Sequence, residues 1–137
     1  MENKEQKLQE KYLELQLIDQ QIKQLQQQLA YIEEQVVELR NISEAIEELK
    51  DIKENSKIFF TLSPGILIEG KIKNKDEFLV NIGSGCVVKK TAAETKELID
   101  NQILQLENLI ARLQQDIVLM SSRGRQLQDE IAELAKE

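Results

Sequence analysis

Two stretches decide how this chain is read: Phe59-Phe60-Thr61-Leu62-Ser63-Pro64-Gly65-Ile66-Leu67-Ile68-Glu69-Gly70-Lys71-Ile72 and Phe78-Leu79-Val80-Asn81-Ile82-Gly83-Ser84-Gly85-Cys86-Val87-Val88-Lys89-Lys90. Both are rich in β-branched and aromatic residues, alternate with period two and are cut by turn formers. They predict four short strands, Lys57 to Leu62, Ile66 to Ile72, Glu77 to Ile82 and Cys86 to Lys90. The turns fall at Ser63-Pro64-Gly65, Lys73 to Asp76 and Gly83-Ser84-Gly85. One strand face reads Phe60, Leu62, Ile66, Ile68, Phe78, Val80, Ile82, and the other holds Glu69, Lys71, Glu77 and Asn81. Four short strands alone leave open edges and an uncovered apolar face, so this insert is expected to oligomerise.

On either side the period changes from two to seven. Before the insert, Leu8, Leu15, Ile22, Leu29 and Val36 interleave with Ile18, Leu25, Ile32, Leu39 and Ile46 as the a and d rows of a heptad. Past Leu39 the stripe reads as slipping by one residue, to Ile42, Ile46 and Leu49. After the insert, Ile103, Ile110, Ile117, Gly124 and Ile131 alternate with Ile99, Leu106, Leu113, Met120, Leu127 and Leu134. The first helix is expected to end near Asn55, and the second to start at a capping box formed by Thr91 and Glu94. Because the insert starts and ends at one place, the two helices can fold back and pack antiparallel. The expected class is α+β: a long antiparallel coiled-coil hairpin over residues 1–55 and 91–137, with a central four-stranded insert of two β hairpins over 56–90. Helices of about 50 residues reach roughly 70 to 80 Å at about 1.5 Å per residue.

The composition suits an elongated chain and excludes several functions. Of 137 residues only 4% are aromatic while 31% are charged, which leaves little material for a wide core. Net charge is −6 over residues 1–55, +3 over 56–92 and −4 over 93–137, so the chain lacks the basic footprint of a nucleic-acid binder. With no His, a single Cys and carboxylates spread along helix faces, there are no candidate catalytic or metal-ligating residues, and no cofactor is expected. Gly83-Ser84-Gly85 reads as a turn, since no helix N-terminus with a Lys follows it as a phosphate loop requires. No stretch approaches about 18 consecutive apolar residues, and Cys86 has no partner cysteine; a cytoplasmic protein with no membrane contact is the expectation.

Two features concern the distal arm, where both termini meet. Gly124 occupies an a position and reads either as a hinge or as space for a bulky neighbour such as Leu17. Leu8, Tyr12, Leu13, Leu127, Ile131 and Leu134 cluster there, with Lys11 interrupting the d row. If the helix ends splay, these residues could hold exposed apolar segments of other proteins. If the seam packs to the end, they are structural.

With helix, four strands and helix in place, the chain resembles the alpha class of prefoldin subunits, on the two quoted stretches. Beta-class subunits carry one hairpin between their helices and alpha-class subunits two. The resemblance implies a hetero-hexamer of two alpha and four beta subunits whose eight hairpins close into two barrels. Assembly would then rest on Phe60, Ile66, Ile68, Phe78, Val80 and Ile82. It further implies an ATP-independent chaperone that binds non-native client proteins at its coiled-coil tips and passes them to a group II chaperonin. The alternative is a structural coiled-coil spacer or tether that oligomerises through the insert.

Overall fold

A computed structural model describes residues 2–136, so Met1 and Glu137, the outermost residues of the expected helical segments, lie outside it. The elements run α1 (Glu2–Leu49), β1 (Lys57–Ser63), β2 (Ile66–Lys71), β3 (Glu77–Gly83), β4 (Cys86–Thr91) and α2 (Ala92–Lys136). They form two units, Met1–Val36 with Gln105–Glu137, and Val37–Leu104.

In the first unit α1 and α2 lie antiparallel: Lys11 pairs with Glu130, Arg123 with Glu14, and Gly124 faces Ile18 and Leu15. The heptad rows face one another as the spacing predicts. Ile18, Ile32 and Val36 of α1 and Leu113, Leu127 and Ile131 of α2 are buried, each such side chain contributing about 1.5–3 kcal/mol. A Cβ at Gly124 would lie 3.8 Å from Ile18 Cγ2 and 3.8 Å from Leu15 Cδ1, an ordinary van der Waals distance. Leu17, expected to need that space, is instead exposed, because its heptad position points away from the seam. The helix runs unbroken through Gly124.

In the second unit Ile46, Ile99 and Ile103 form the buried seam, bordered by an ion pair between Lys96 and Glu47. The slip expected after Leu39 does not occur at Ile42 and shows only at the helix end, where Leu49 is half-buried and Lys50, seven residues after Ser43, is exposed. Ile42 is 48% exposed, while Ser43, seven residues after Val36, is half-buried in the row. The heptad therefore keeps its period by accepting a serine at an a position. α1 also stops short of Asn55. The amides of Lys50, Asp51 and Ile52 donate to the carbonyls of Glu47, Glu48 and Leu49, each at 3.2 Å, the tightened turn that closes a helix. Lys75 Nζ donates to the Lys50 carbonyl at 2.9 Å. Asn55 makes the change of direction instead: its φ is +66°, a region asparagine tolerates, and its amide donates to the Ile72 carbonyl at 2.8 Å.

The four strands form two separate antiparallel ribbons, β1 with β2 and β3 with β4, within a residue of the predicted bounds. The second repeats the first twenty positions later, from Lys57–Ser63 to Glu77–Gly83. Register shifts fall at matching places, between Thr61 and Ser63 and between Asn81 and Gly83, leaving Leu62 and Ile82 without a direct partner. Pro64-Gly65 makes the first two-residue turn, with Gly65 at φ +83°, where a Cβ would be strained. Ser84 and Gly85, both at positive φ, make the second.

The second helix starts as its capping box dictates. The Glu94 amide donates to Thr91 Oγ1 at 3.1 Å, and the Thr91 amide donates to Glu94 Oε1 at 3.3 Å. Thr95, buried in the first turn, donates its hydroxyl to the Thr91 carbonyl at 2.8 Å.

Because a methyl fits at Gly124, Gly124→Ala should raise stability by up to about 1 kcal/mol, read as a higher midpoint in thermal circular dichroism; a lower midpoint would show that the seam cannot take it. Acid should act in the opposite direction. Hydrogen bonds from Thr91 hold the Glu94 carboxyl below its ordinary range, and those from Lys96 and Lys50 do the same for Glu47. A depressed carboxyl contributes stability that is present above its unfolded pKa and lost as pH falls through its folded one. The melting temperature should therefore fall on acidification through the carboxylate range, and Thr91→Ala, which keeps the backbone amide but loses the hydroxyl, should reduce the share that depends on Glu94.

Candidate oligomerisation and client-contact surfaces

Strand pairing settles which side chains share a face of each ribbon. In the first, Phe60 stands opposite Ile68, with Ile66 and Gly70 on the same face of β2. The Phe60 ring lies diagonally over Gly70 so closely that a Cβ there would come within 2.5 Å of ring atom Cε2. Gly70 is thus a seat for an aromatic ring, a close approach that only a residue without a Cβ allows. In the second ribbon Phe78 stands opposite Lys90 and Val80 opposite Val88.

The six residues expected to carry assembly are all in strands, and none is fully covered: Phe60, Ile66, Ile68 and Ile82 are exposed and Phe78 and Val80 half-buried. The opposite faces, which sequence reasoning left to Glu69, Lys71, Glu77 and Asn81, also carry Phe59, Leu67, Leu79 and Val87. All four are exposed, Leu79 at 73%. The unbroken runs Ile66-Leu67-Ile68 and Val87-Val88 are the signal that could have found them, because a strand that is apolar at both parities is usually covered on both faces. Each ribbon also keeps two unpaired edges.

In the first unit the six expected client residues divide by heptad position. Leu127 is 0% exposed and Ile131 7%, both in the seam; Leu8 and Leu134 are half-buried; Tyr12 and Leu13 are exposed. The helix ends do not splay, so Leu127 and Ile131 are closed to any client in this conformation. Above them lies a charged network. Lys11 Nζ meets Glu130 Oε2 at 2.5 Å, and Arg123 reaches Glu14 Oε1 at 3.1 Å and Glu130 Oε1 at 3.9 Å. The hydrogen bond from Lys11, helped by its charge and that of Arg123, holds the Glu130 carboxyl below its ordinary range.

Among the described residues no group of His, Cys, Asp and Glu is placed to hold a metal ion, and no helix is long and apolar enough to cross a membrane. Cys86 is a free, exposed thiol at the start of β4.

The Prefoldin family model, described as "Prefoldin subunit", matches residues 18–137. Prefoldin subunit alpha of Archaeoglobus fulgidus is 28% identical over 128 residues, covering 93% of both chains. Prefoldin subunit alpha of Methanobrevibacter smithii is 32% identical over 110 residues, covering 75% of both. In fold, the chain is similar to the cryo-EM structure of filamentous PFD from Methanocaldococcus jannaschii, with a TM-score of 0.75 at 20% identity over 88% of this chain and 97% of that one. Two helices flanking two hairpins, a family match over most of the length and an alpha-subunit relative aligned nearly end to end converge: this chain belongs to the prefoldin family of chaperone subunits, in its alpha class.

Proposed function

We propose that the chain is the alpha subunit of an ATP-independent holdase, assembled with beta-class prefoldin subunits through its two hairpins. The observation that carries this reading is the insert, two ribbons with apolar residues on both faces and every outer edge unpaired. Closure with hairpins of other subunits into barrels removes those edges and covers one face of each ribbon. Phe60, Ile66, Ile68, Phe78, Val80 and Ile82 are the contact residues of this reading, within residues 56–90, and the helical segments 1–55 and 91–137 are its arms. Non-native clients are held by the distal apolar residues of those arms and delivered to a group II chaperonin in the cytoplasm. Tyr12 and Leu13 offer contact directly, and Leu8, Leu127, Ile131 and Leu134 do so when the seam parts.

The burial of Leu127 and Ile131 favours a second reading, a structural spacer or tether whose helices only set a distance. A spacer binds folded partners and is indifferent to unfolded chains.

Mixing the chain with a beta-class subunit should give a hetero-hexamer by light scattering. Gly70→Ala, which displaces the Phe60 ring, should weaken that assembly on the order of tenfold, the effect of about 1.4 kcal/mol; full assembly by the variant would remove Phe60 from the interface. Deleting residues 1–12 and 126–137 should leave the complex intact and abolish its suppression of aggregation of a denatured protein. Suppression that survives the deletion, or that the intact complex never shows, counts for the spacer.

A further inference from the structure

The seam of the first unit is thin where it is most charged. Lys11 takes a d position that an apolar residue fills in the layers from Ile18 to Ile46, and Gly124 takes an a position in α2 without a side chain. Close by, Leu127 and Ile131 are buried against a facing helix that supplies a cation in place of one of its hydrophobes. Ion pairs stand in for the missing apolar contact. Lys11 binds Glu130, and Arg123 reaches both Glu130 and Glu14, so one connected network crosses from α1 to α2 on either side of Leu127. Lys7, Glu10 and Glu133 line the same cleft, of about 470 Å3, together with Leu134.

From this arrangement we infer that Lys11, Glu14, Arg123 and Glu130 form an electrostatic latch whose release opens the distal seam and presents Leu127 and Ile131 to a client. The inference rests on the client-holding reading above and adds its regulation. All four side chains are partly open to solvent, between 27% and 46% exposed, so salt can screen them. The Leu113 layer is closed by apolar contact, which salt does not weaken. The distal seam is therefore a part of the arm whose opening follows ionic strength, and Leu113 is its internal reference. A non-native segment entering it meets apolar side chains on α2, and displaces an ion network that water can replace at little cost.

The test uses the full chain assembled with a beta-class subunit, with sodium chloride raised from about 0.01 M to about 1 M, over which the Debye length falls from about 30 Å to about 3 Å. Hydrogen exchange at the Leu127 amide should speed up by about two- to fivefold, the range set by weak, partly exposed ion pairs, while exchange at Leu113 stays unchanged. Glu130→Gln should show the faster exchange already at low salt. Lys11→Leu, which returns an apolar residue to the d row, should keep exchange slow at both salts. Suppression of aggregation of a denatured protein should rise with Glu130→Gln and fall with Lys11→Leu. Leu127 exchange that ignores both salt and Glu130→Gln overturns the latch, as does exchange that responds while all three proteins hold client, and hold it equally. Exchange that responds while none of the three holds any client supports the latch and overturns the client-holding reading.

Discussion

A two-stranded ribbon has no inside. Each ribbon here hydrogen-bonds one edge of each strand, and leaves both outer edges and both faces to the surroundings. The helices have less of a deficit, since the residues of their a and d rows are buried or half-buried within the chain. The two kinds of element thus stand in different relations to other molecules. The coiled coil can be complete in a single chain; the insert keeps open edges and exposed apolar faces. Phe60 over Gly70 shows how far a ribbon can go alone, with one ring covered on one side by backbone.

Polar residues inside the helical seam sharpen this contrast. Lys11, Ser43 and Thr95 sit where a fully apolar seam would have hydrophobes or none, and two of them are visibly satisfied, Lys11 by Glu130 and Thr95 by the Thr91 carbonyl. A paired polar group in a seam costs stability, yet it penalises every register in which its partner is displaced. Lys11 with Glu130, and Lys96 with Glu47, mark one antiparallel alignment within each unit.

Most of the fold could be read from the chain because its determinants are local. Period two between Lys57 and Thr91, period seven on both sides, the Pro64-Gly65 turn and the Thr91/Glu94 box each act over a few residues, and each appears where it was expected. What was misread depends on competition between neighbours. Ile42 looked like a seam residue because it is apolar, but the established period seats Ser43 there. Asn55 looked like a helix terminator, yet α1 closes at Leu49 and Asn55 serves the turn into β1. The candidate surfaces were legible only in part. Which strand residues are apolar is plain in the sequence, but exposure on both ribbon faces follows from pairing. The burial of Leu127 beside Lys11 follows from the facing helix, which no local pattern describes.

The register shifts between Thr61 and Ser63 and between Asn81 and Gly83 have a bearing on how many neighbours the insert accepts. An extra residue bends the strand and increases its right-handed twist, and at the second site the Gly83 amide donates to the Asn81 side chain at 2.9 Å across the inserted Ile82. A flat edge invites unlimited copies, stacked as in a fibre; a twisted edge interrupted one residue before its turn fits a curved and finite neighbourhood. The inserted residue is Leu62 in one ribbon and Ile82 in the other, so each ribbon is twisted next to its turn, where a flat edge would be most open to stacking.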